Sequence, residues 1–143
     1  IGIANGKDGI SGLPLDAYAS TRDELLRQAH FIFSGNPSDR QHYLGLKPDF
    51  PPSEIMRQYK SLKPCFHGSD AHSIEKLFEP DFKRYCWVKA DPTFRGLQQA
   101  IREPESRVFI GENGVKPEKM TAVENDKTSF IDKIEIRKLL NAQ

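Results

Sequence analysis

The residues best suited to chemistry lie together in one segment, His67–His72, which reads His-Gly-Ser-Asp-Ala-His. In an extended segment Asp70 and His72 point to the same face, because side chains alternate with a period of two. A carboxylate and a neutral imidazole so placed can bind one divalent metal or two adjacent ones. Gly68 lets the backbone pass close to a ligand, and Ser69 is placed to hydrogen-bond the carboxylate. On this pattern alone an alternative stays open, in which Ser69 or Asp70 caps a short helix and the histidines lie at the surface.

Other side chains with chemical potential are less closely grouped. His67 is either a third ligand or a residue of the opposite face, since it lies an odd number of positions before Asp70 and side chains alternate along an extended segment. Lys89 follows an apolar segment, where its ammonium either holds a substrate phosphate or is simply solvated. We therefore take Lys89, His67 and Ser69 as candidate substrate-binding residues and assign no catalytic residue. His30 and His42 have no carboxylate at ligand spacing and are interpreted as structural.

The composition indicates one soluble domain without an obvious macromolecular partner. The 143 residues include 21 Lys and Arg against 20 Asp and Glu, which gives a net charge of +1. This balance argues against a protein that binds nucleic acid non-specifically over its whole surface, and against one that binds membranes through a polybasic surface. No apolar run approaches the roughly 18 residues of a membrane span, and no signal peptide is evident. Cys65 and Cys86 lack zinc spacing and predict reduced thiols, so the expected location is cytoplasmic.

The elements that must position these residues alternate between strand and helix. Apolar segments predict strands near 31–34, 64–67, 84–89 and 107–110, and apolar periodicity predicts helices near 16–29 and 93–103. Asp91 and Pro92 favour a helix start, and Ser53 favours another helix through about Tyr59. Strands that alternate with helices over short links predict an α/β fold with mainly parallel strands and flanking helices.

The ends of the sequence suggest a piece of a longer protein. Residues 1–4 read as the middle of an element, and Phe130–Lys138 alternates like a strand that has just begun, although an edge strand or a short helix is an equal alternative. The polar stretch 113–129 reads as a linker or a long loop. We expect residues 1–112 to form one domain portion, with 130–143 opening a following domain.

Several segments together resemble a known family. Pro64–Ser73, Tyr85–Leu97 and Glu103–Gly111 look like the closing section of a PHP (polymerase and histidinol phosphatase) domain. Gly6–Leu13 and Phe33–Arg40 are similar to the PHP domains that precede an SMC/ABC-like ATPase, the TrlF type. The resemblance covers most of residues 1–112. It implies part of a distorted, seven-stranded βα barrel that holds two or three divalent metals.

Carried over by position, the last metal motif of the family falls on Asp70 and His72. The resemblance implies divalent metals (Zn, Mn or Fe) in the complete domain and a phosphate-ester substrate, with nucleic acid among the candidates. The opening His-x-His motif of the family is absent from this sequence. Two ligands do not hold a polynuclear site, so we expect the chain to be inactive alone. The remaining ligands would then come from an N-terminal half of the PHP domain.

Two functions remain as hypotheses. In the first, the chain is a fragment of a metal-dependent phosphoesterase, a hydrolase that cleaves phosphomonoesters or phosphodiesters and is coupled to an ATPase. The similarity of Phe130–Arg137 to the first strand of ABC/SMC-type ATPase heads adds to this hypothesis, with ATP bound only in the downstream domain. In the second, it is a catalytically inactive PHP-like module that regulates or scaffolds that ATPase. The sequence does not determine the substrate, the metal or the oligomeric state.

Overall fold

A computed structural model describes residues 1–114, 118–129, 131 and 133–135. Most of the strand expected over 130–138 lies outside these residues, and so do residues 139–143. The stretch 113–129, expected to be a linker or a long loop, contains a helix at Glu118–Asn125 and a short 3-10 turn at Lys127–Ser129. In the described part of the chain, no helix is long and apolar enough to cross a membrane.

The centre of the fold is a three-stranded parallel sheet. Strand β1 spans Gly2–Ala4, β2 spans Phe31–Phe33 and β3 spans Cys65–Phe66, in the order β1-β2-β3. Ile3 pairs with Ile32, which pairs with Cys65, so the three side chains share one face. The predicted α/β class with parallel strands is confirmed for this sheet.

Helices cover the face that carries Ile32. They are α1 (Leu15–Gln28), α2 (Pro37–Tyr43) and α3 (Pro52–Tyr59). The predictions near 16–29 and 53–59 are confirmed within one residue, whereas β1 and α2 were not predicted. The buried core lies between these helices and the sheet and consists of Ile10, Leu26, Ala29, Ile32, Tyr43, Ile55, Tyr59 and Cys65. Both cysteines are free thiols, as predicted, with Cys65 buried and Cys86 half-buried.

The second sheet corrects the prediction of parallel strands near 84–89 and 107–110. Strands β4 (Tyr85–Val88) and β5 (Val108–Gly111) pair with each other in antiparallel orientation. Helices α4 (Phe94–Arg102) and α5 (Pro104–Arg107) bring the chain back beside the end of β4, where the Lys89 amide donates to the Arg107 carbonyl at 2.8 Å. Because β5 starts where β4 ends, the two strands run in opposite directions. The described residues do not close into a barrel.

The start of α4 also differs in detail from the prediction. Thr93, rather than Asp91, is the N-cap residue, and its hydroxyl accepts a hydrogen bond from the Gly96 amide at 3.1 Å. The Asp91 carbonyl approaches Gly96 so closely that a Cβ there would lie 2.1 Å from its oxygen. The close approach therefore requires a glycine in the first turn of α4.

A buried lysine joins the three helices to the sheet. Lys63 is 1% exposed, and its ammonium donates to the carbonyls of Ala29 at 2.7 Å and Tyr59 at 3.0 Å. It also donates to the Ser61 hydroxyl at 2.8 Å, while the Lys63 backbone amide donates to the Tyr43 carbonyl at 3.0 Å. The carbonyls of Ala29, Tyr43 and Tyr59 mark the carboxyl ends of α1, α2 and α3. Lys63 thus satisfies acceptors that the helices leave without intrahelical donors.

Replacement of this lysine should destabilise the fold strongly. Lys63→Met keeps the length of the side chain but leaves three acceptors without their donor, which we expect to lower the free energy of unfolding by about 2–4 kcal/mol. Urea denaturation followed by circular dichroism measures the change. The control is Lys60→Met, since Lys60 lies exposed at the end of α3, three residues before Lys63. A loss below about 0.5 kcal/mol is expected there. Equal losses in the two variants would contradict the role of Lys63.

The same side chain makes the stability depend on pH. Burial, followed by the nearby charge of Lys60, lowers the pKa of Lys63 to about 8 from 10.5. Between these values the unfolded chain binds more protons than the folded one, so the free energy of unfolding rises with pH. From pH 8 to pH 10 the stability of the wild type relative to Lys63→Met should increase by on the order of 2 kcal/mol. Urea denaturation midpoints of the two proteins across this pH range test the sign of the change. A stability difference that stays constant or falls as the pH rises would contradict the prediction.

Candidate functional site: the carboxyl edge of the parallel sheet

Three polar residues follow the parallel strands directly. Asn5 comes after β1, Ser34 after β2 and His67 after β3. The Asn5 amide donates to the Phe33 carbonyl at 3.0 Å, and the Ser34 amide donates to the Phe66 carbonyl at 2.9 Å. The ladder therefore continues one residue beyond the strands and sets these residues side by side. Ligands of α/β proteins commonly bind at this edge.

A half-buried carboxylate holds the edge together. Oδ2 of Asp39 accepts hydrogen bonds from Nδ2 of Asn5 at 2.8 Å and from Oγ of Ser34 at 2.6 Å. The Ser11 hydroxyl in turn donates to Oδ1 of Asn5 at 2.6 Å. Asp39 lies in the first turn of α2, where the helix dipole favours a negative charge. Loops after β1 and β2 are thus fixed to one another through a single carboxylate.

This cluster of Asn5, Ser34 and Asp39 was not predicted from the sequence. The signal that could have found it is the segment Asn36–Asp39, in which an asparagine and a proline precede an acidic residue, as at many helix starts. The side chain of Asn36 accepts a hydrogen bond from the Ser38 amide at 3.0 Å, and Pro37 occupies the first helical position. The same residues therefore begin α2 and place its acidic first turn against the edge.

The imidazole of His67 packs against the loop after β2. A Cβ at Gly35 would lie 2.5–2.7 Å from three ring atoms of His67, so only glycine permits this approach. Burial and the nearby charge of Arg84 lower the pKa of His67, while Asp70 and Asp81 act in the opposite direction. The imidazole is therefore mainly neutral near pH 7, the form in which histidine accepts a hydrogen bond or binds a metal.

The segment after His67 does not have the extended backbone that was predicted from the sequence. Asp70 has φ of 49°, in the left-handed region, so side chains do not alternate through this residue as in a strand. The alternation that would set Asp70 and His72 on one face is therefore absent, because it requires an extended chain. Both residues are exposed, and Ser69 forms no hydrogen bond with Asp70 among the bonds of the described residues.

The structure groups the predicted site residues only in part. Asp70 lies close enough to His67 to act on its charge, so these two belong to one region. Lys89 is exposed at the end of β4 and belongs to the antiparallel sheet, where its backbone bonds with Arg107. His30 precedes β2, away from the carboxyl edge, and its Nδ1 accepts a hydrogen bond from the amino group of Ile1 at 2.8 Å.

The metal-binding capacity of the edge is limited in the described residues. Among them, no group of three or more His, Cys, Asp and Glu side chains is placed to hold a metal ion. Bound metals in stable sites commonly have three or four protein ligands. Asp70 and His72 thus do not complete a donor set with the other described residues, and their assignment as ligands stays a prediction.

Comparisons of the chain with protein-family models, with curated proteins and with solved structures give no match.

The Asp39 carboxylate should keep the loops at this edge ordered. Asp39→Ala removes the shared acceptor of Asn5 and Ser34, and we expect a loss of about 2–3 kcal/mol in the free energy of unfolding. Hydrogen exchange at the amides of Asn5 and Ser34 should accelerate more than exchange in α4. Asp49→Ala, a change at an exposed aspartate, serves as the control and should alter neither quantity. Unchanged exchange at the two amides would show that Asp39 does not hold the edge.

Proposed function

We propose that this chain is part of a metal-dependent phosphoesterase in which the segment His67–His72 contributes to the metal site. The observation that carries the proposal is the position of this segment, which leaves β3 at the carboxyl edge of the parallel sheet. Binding sites of parallel α/β folds lie at this edge because loops from several strands converge there. The neutral His67 imidazole beside Asp70 supports the same assignment.

The finer architecture in this proposal is a PHP-type βα barrel of seven strands. Parallel strands with helices on one face are what an arc of such a barrel would present. The opposite face of the sheet carries Phe31, Phe33 and Phe66, whose rings meet edge to face at centroid distances of 5.1 and 5.2 Å. In a closed barrel this aromatic face would point inward, since the helices cover the outside.

Within this proposal, Asp70 and His72 are metal ligands, and Ser69, His67 and Lys89 are substrate contacts. A bound divalent metal (Zn, Mn or Fe) would supply an activated water and charge neutralisation at a phosphate ester, nucleic acid among the candidates. The described residues lack a complete donor set, so we derive no hydrolytic step from them. Further ligands would come from the N-terminal half of the PHP domain, and a downstream ATPase domain would bind ATP.

A second candidate function is a catalytically inactive PHP-like module that regulates or scaffolds the ATPase. Such a module needs no metal site, which agrees with the lack, among the described residues, of any three-donor cluster that could hold a metal. A module of this kind would keep the α/β framework and the ordered edge, while its loops would serve as contact surfaces.

Manganese titration separates the two functions. Mn²⁺ added in small amounts to the ¹⁵N-labelled chain should broaden the amide signals of residues 67–73 first, because a paramagnetic ion acts on nearby nuclei. Asp70→Asn removes the charge that attracts the cation while preserving the side-chain shape, and it should weaken the apparent affinity by about tenfold or more. His72→Gln should act in the same direction.

The matched control is Asp91→Asn, a change at an exposed aspartate at the end of the second sheet. This variant should leave the broadening at residues 67–73 unchanged. Broadening that is spread evenly over surface carboxylates, or that persists in Asp70→Asn, would refute the ligand assignment and favour the binding module.

A further inference from the structure

A groove lies between α4 and the end of the parallel sheet at which the strands begin. Its volume of about 710 Å³ falls within the range of roughly 300–1,000 Å³ that small-molecule sites occupy. The walls of this amino-end groove come from the start of β2, from the end of α3 with the chain that leads to β3, and from one face of α4. The groove is therefore remote from the carboxyl edge and from the segment His67–His72.

The walls of the amino-end groove are mainly apolar. Helix α4 buries Gly96 and Ala100 against the rest of the protein, and it lines the groove with another face that carries Phe94, Leu97 and Ile101. These three side chains share a face because they are three and four positions apart. Phe94 is 74% exposed and Leu97 is 37% exposed, although both are large and apolar. The facing wall contains three further apolar side chains, Phe31, Met56 and Leu62. An exposed, contiguous apolar surface is typical of a place that another molecule covers.

The charged side chains of the amino-end groove are cations. Lys60 lies at the end of α3 and Arg102 lies in the last turn of α4, and no aspartate or glutamate is found among the described residues that form the walls. In the part of the chain that the structure describes, neither cation forms an ion pair or a side-chain hydrogen bond. The positive charge of this groove is thus not balanced by an acidic neighbour, and a bound anion would balance it.

Other polar groups leave Lys60 available to a ligand. The partial negative charge at the end of α3 is already engaged, because the buried Lys63 ammonium donates to the Tyr59 carbonyl at 3.0 Å. The Ser61 hydroxyl accepts from Lys63 at 2.8 Å, so its own hydrogen is left to donate. Ser61 and Gln98 line the groove and add uncharged donors to the two cations.

We propose that the amino-end groove binds a small organic acid whose apolar body carries one anionic group. The apolar body would cover the stripe of α4, and the anionic group would accept charge-assisted hydrogen bonds from Lys60 or Arg102. A neutral apolar molecule would leave the cations unbalanced, and an inorganic anion would leave the apolar walls exposed to water. Only a molecule with both parts complements the whole groove. This inference does not rest on the proposed metal site.

A series of straight-chain acids tests the proposal on the ¹⁵N-labelled chain. Hexanoate, octanoate and decanoate should shift the amides of residues 60, 62, 97 and 101 at millimolar concentration or below. The affinity should increase by about 3- to 10-fold for every two CH₂ groups that are added, because the apolar walls cover them. The neutral 1-octanol should bind about 3- to 10-fold more weakly than octanoate, because it lacks the charge that the cations recognise.

Substitutions separate the two parts of the recognition. Lys60→Gln and Arg102→Gln should each weaken octanoate binding by about 3- to 10-fold and leave the affinity for 1-octanol unchanged. Leu97→Gln should weaken both ligands by a similar factor, because it removes apolar contact and no charge. All three residues are exposed, so circular dichroism should show the fold of the wild type in each variant.

Controls keep the outcomes distinct. Arg95→Gln removes an exposed cation of the same helix outside the groove, and Leu77→Gln removes an exposed leucine elsewhere; neither should change the affinities. Asp70→Asn should not change them either, so failure of the metal site leaves this result intact. The proposal is overturned if octanoate does not shift the four amides at millimolar concentration, or if octanoate and 1-octanol bind equally. Shifts of these amides with protein concentration alone would assign the groove to a contact between copies of the chain and would also overturn it.

Discussion

The hydrogen bonds of Lys63 connect the parts of the fold on which everything else depends. Through its side chain and its backbone amide this one residue reaches the carboxyl ends of α1, α2 and α3. The next residue, Pro64, accepts a hydrogen bond from the Ile32 amide at 2.9 Å, so Lys63 also fixes the entry into β3. An ammonium tolerates this depth because the carbonyls at helix ends carry partial negative charge. The helices are thereby held at one end of the sheet.

The opposite end of the sheet is where the chain places its polar groups. Loops after β1, β2 and β3 are ordered there by the Asp39 carboxylate and by the packing of His67 on Gly35. Lys63 supports this edge from behind and the Asp39 carboxylate bridges two of its loops, and supports of this kind help to position a ligand. The segment proposed for the metal site lies at this edge, on the exposed chain after β3.

The elements with strong local signals were predicted correctly. Apolar periodicity placed α1 and α4, and the start signal at Ser53 placed α3, each within one or two residues. Short apolar runs placed β2, β3, β4 and β5. Strand β1 was missed because three residues with a glycine carry almost no periodic signal. Helix α2 was missed because Asn36 and Pro37 serve equally to close a turn or to begin a helix, and only the following packing decides between them.

Only the position of the candidate site along the chain could be predicted from the sequence, not its geometry. The sequence by itself determined the position of the His67–His72 segment after a strand and the α/β class, because these depend on local order along the chain. The tertiary structure alone decided the antiparallel pairing of β4 and β5, the left-handed backbone at Asp70 and the meeting of Asn5, Ser34 and Asp39. It also decided that α4 and the start of β2 line one groove. Each of these features either joins residues that are distant in the chain or depends on a single backbone angle. A contact between distant residues and a single backbone angle leave no periodic pattern in the sequence.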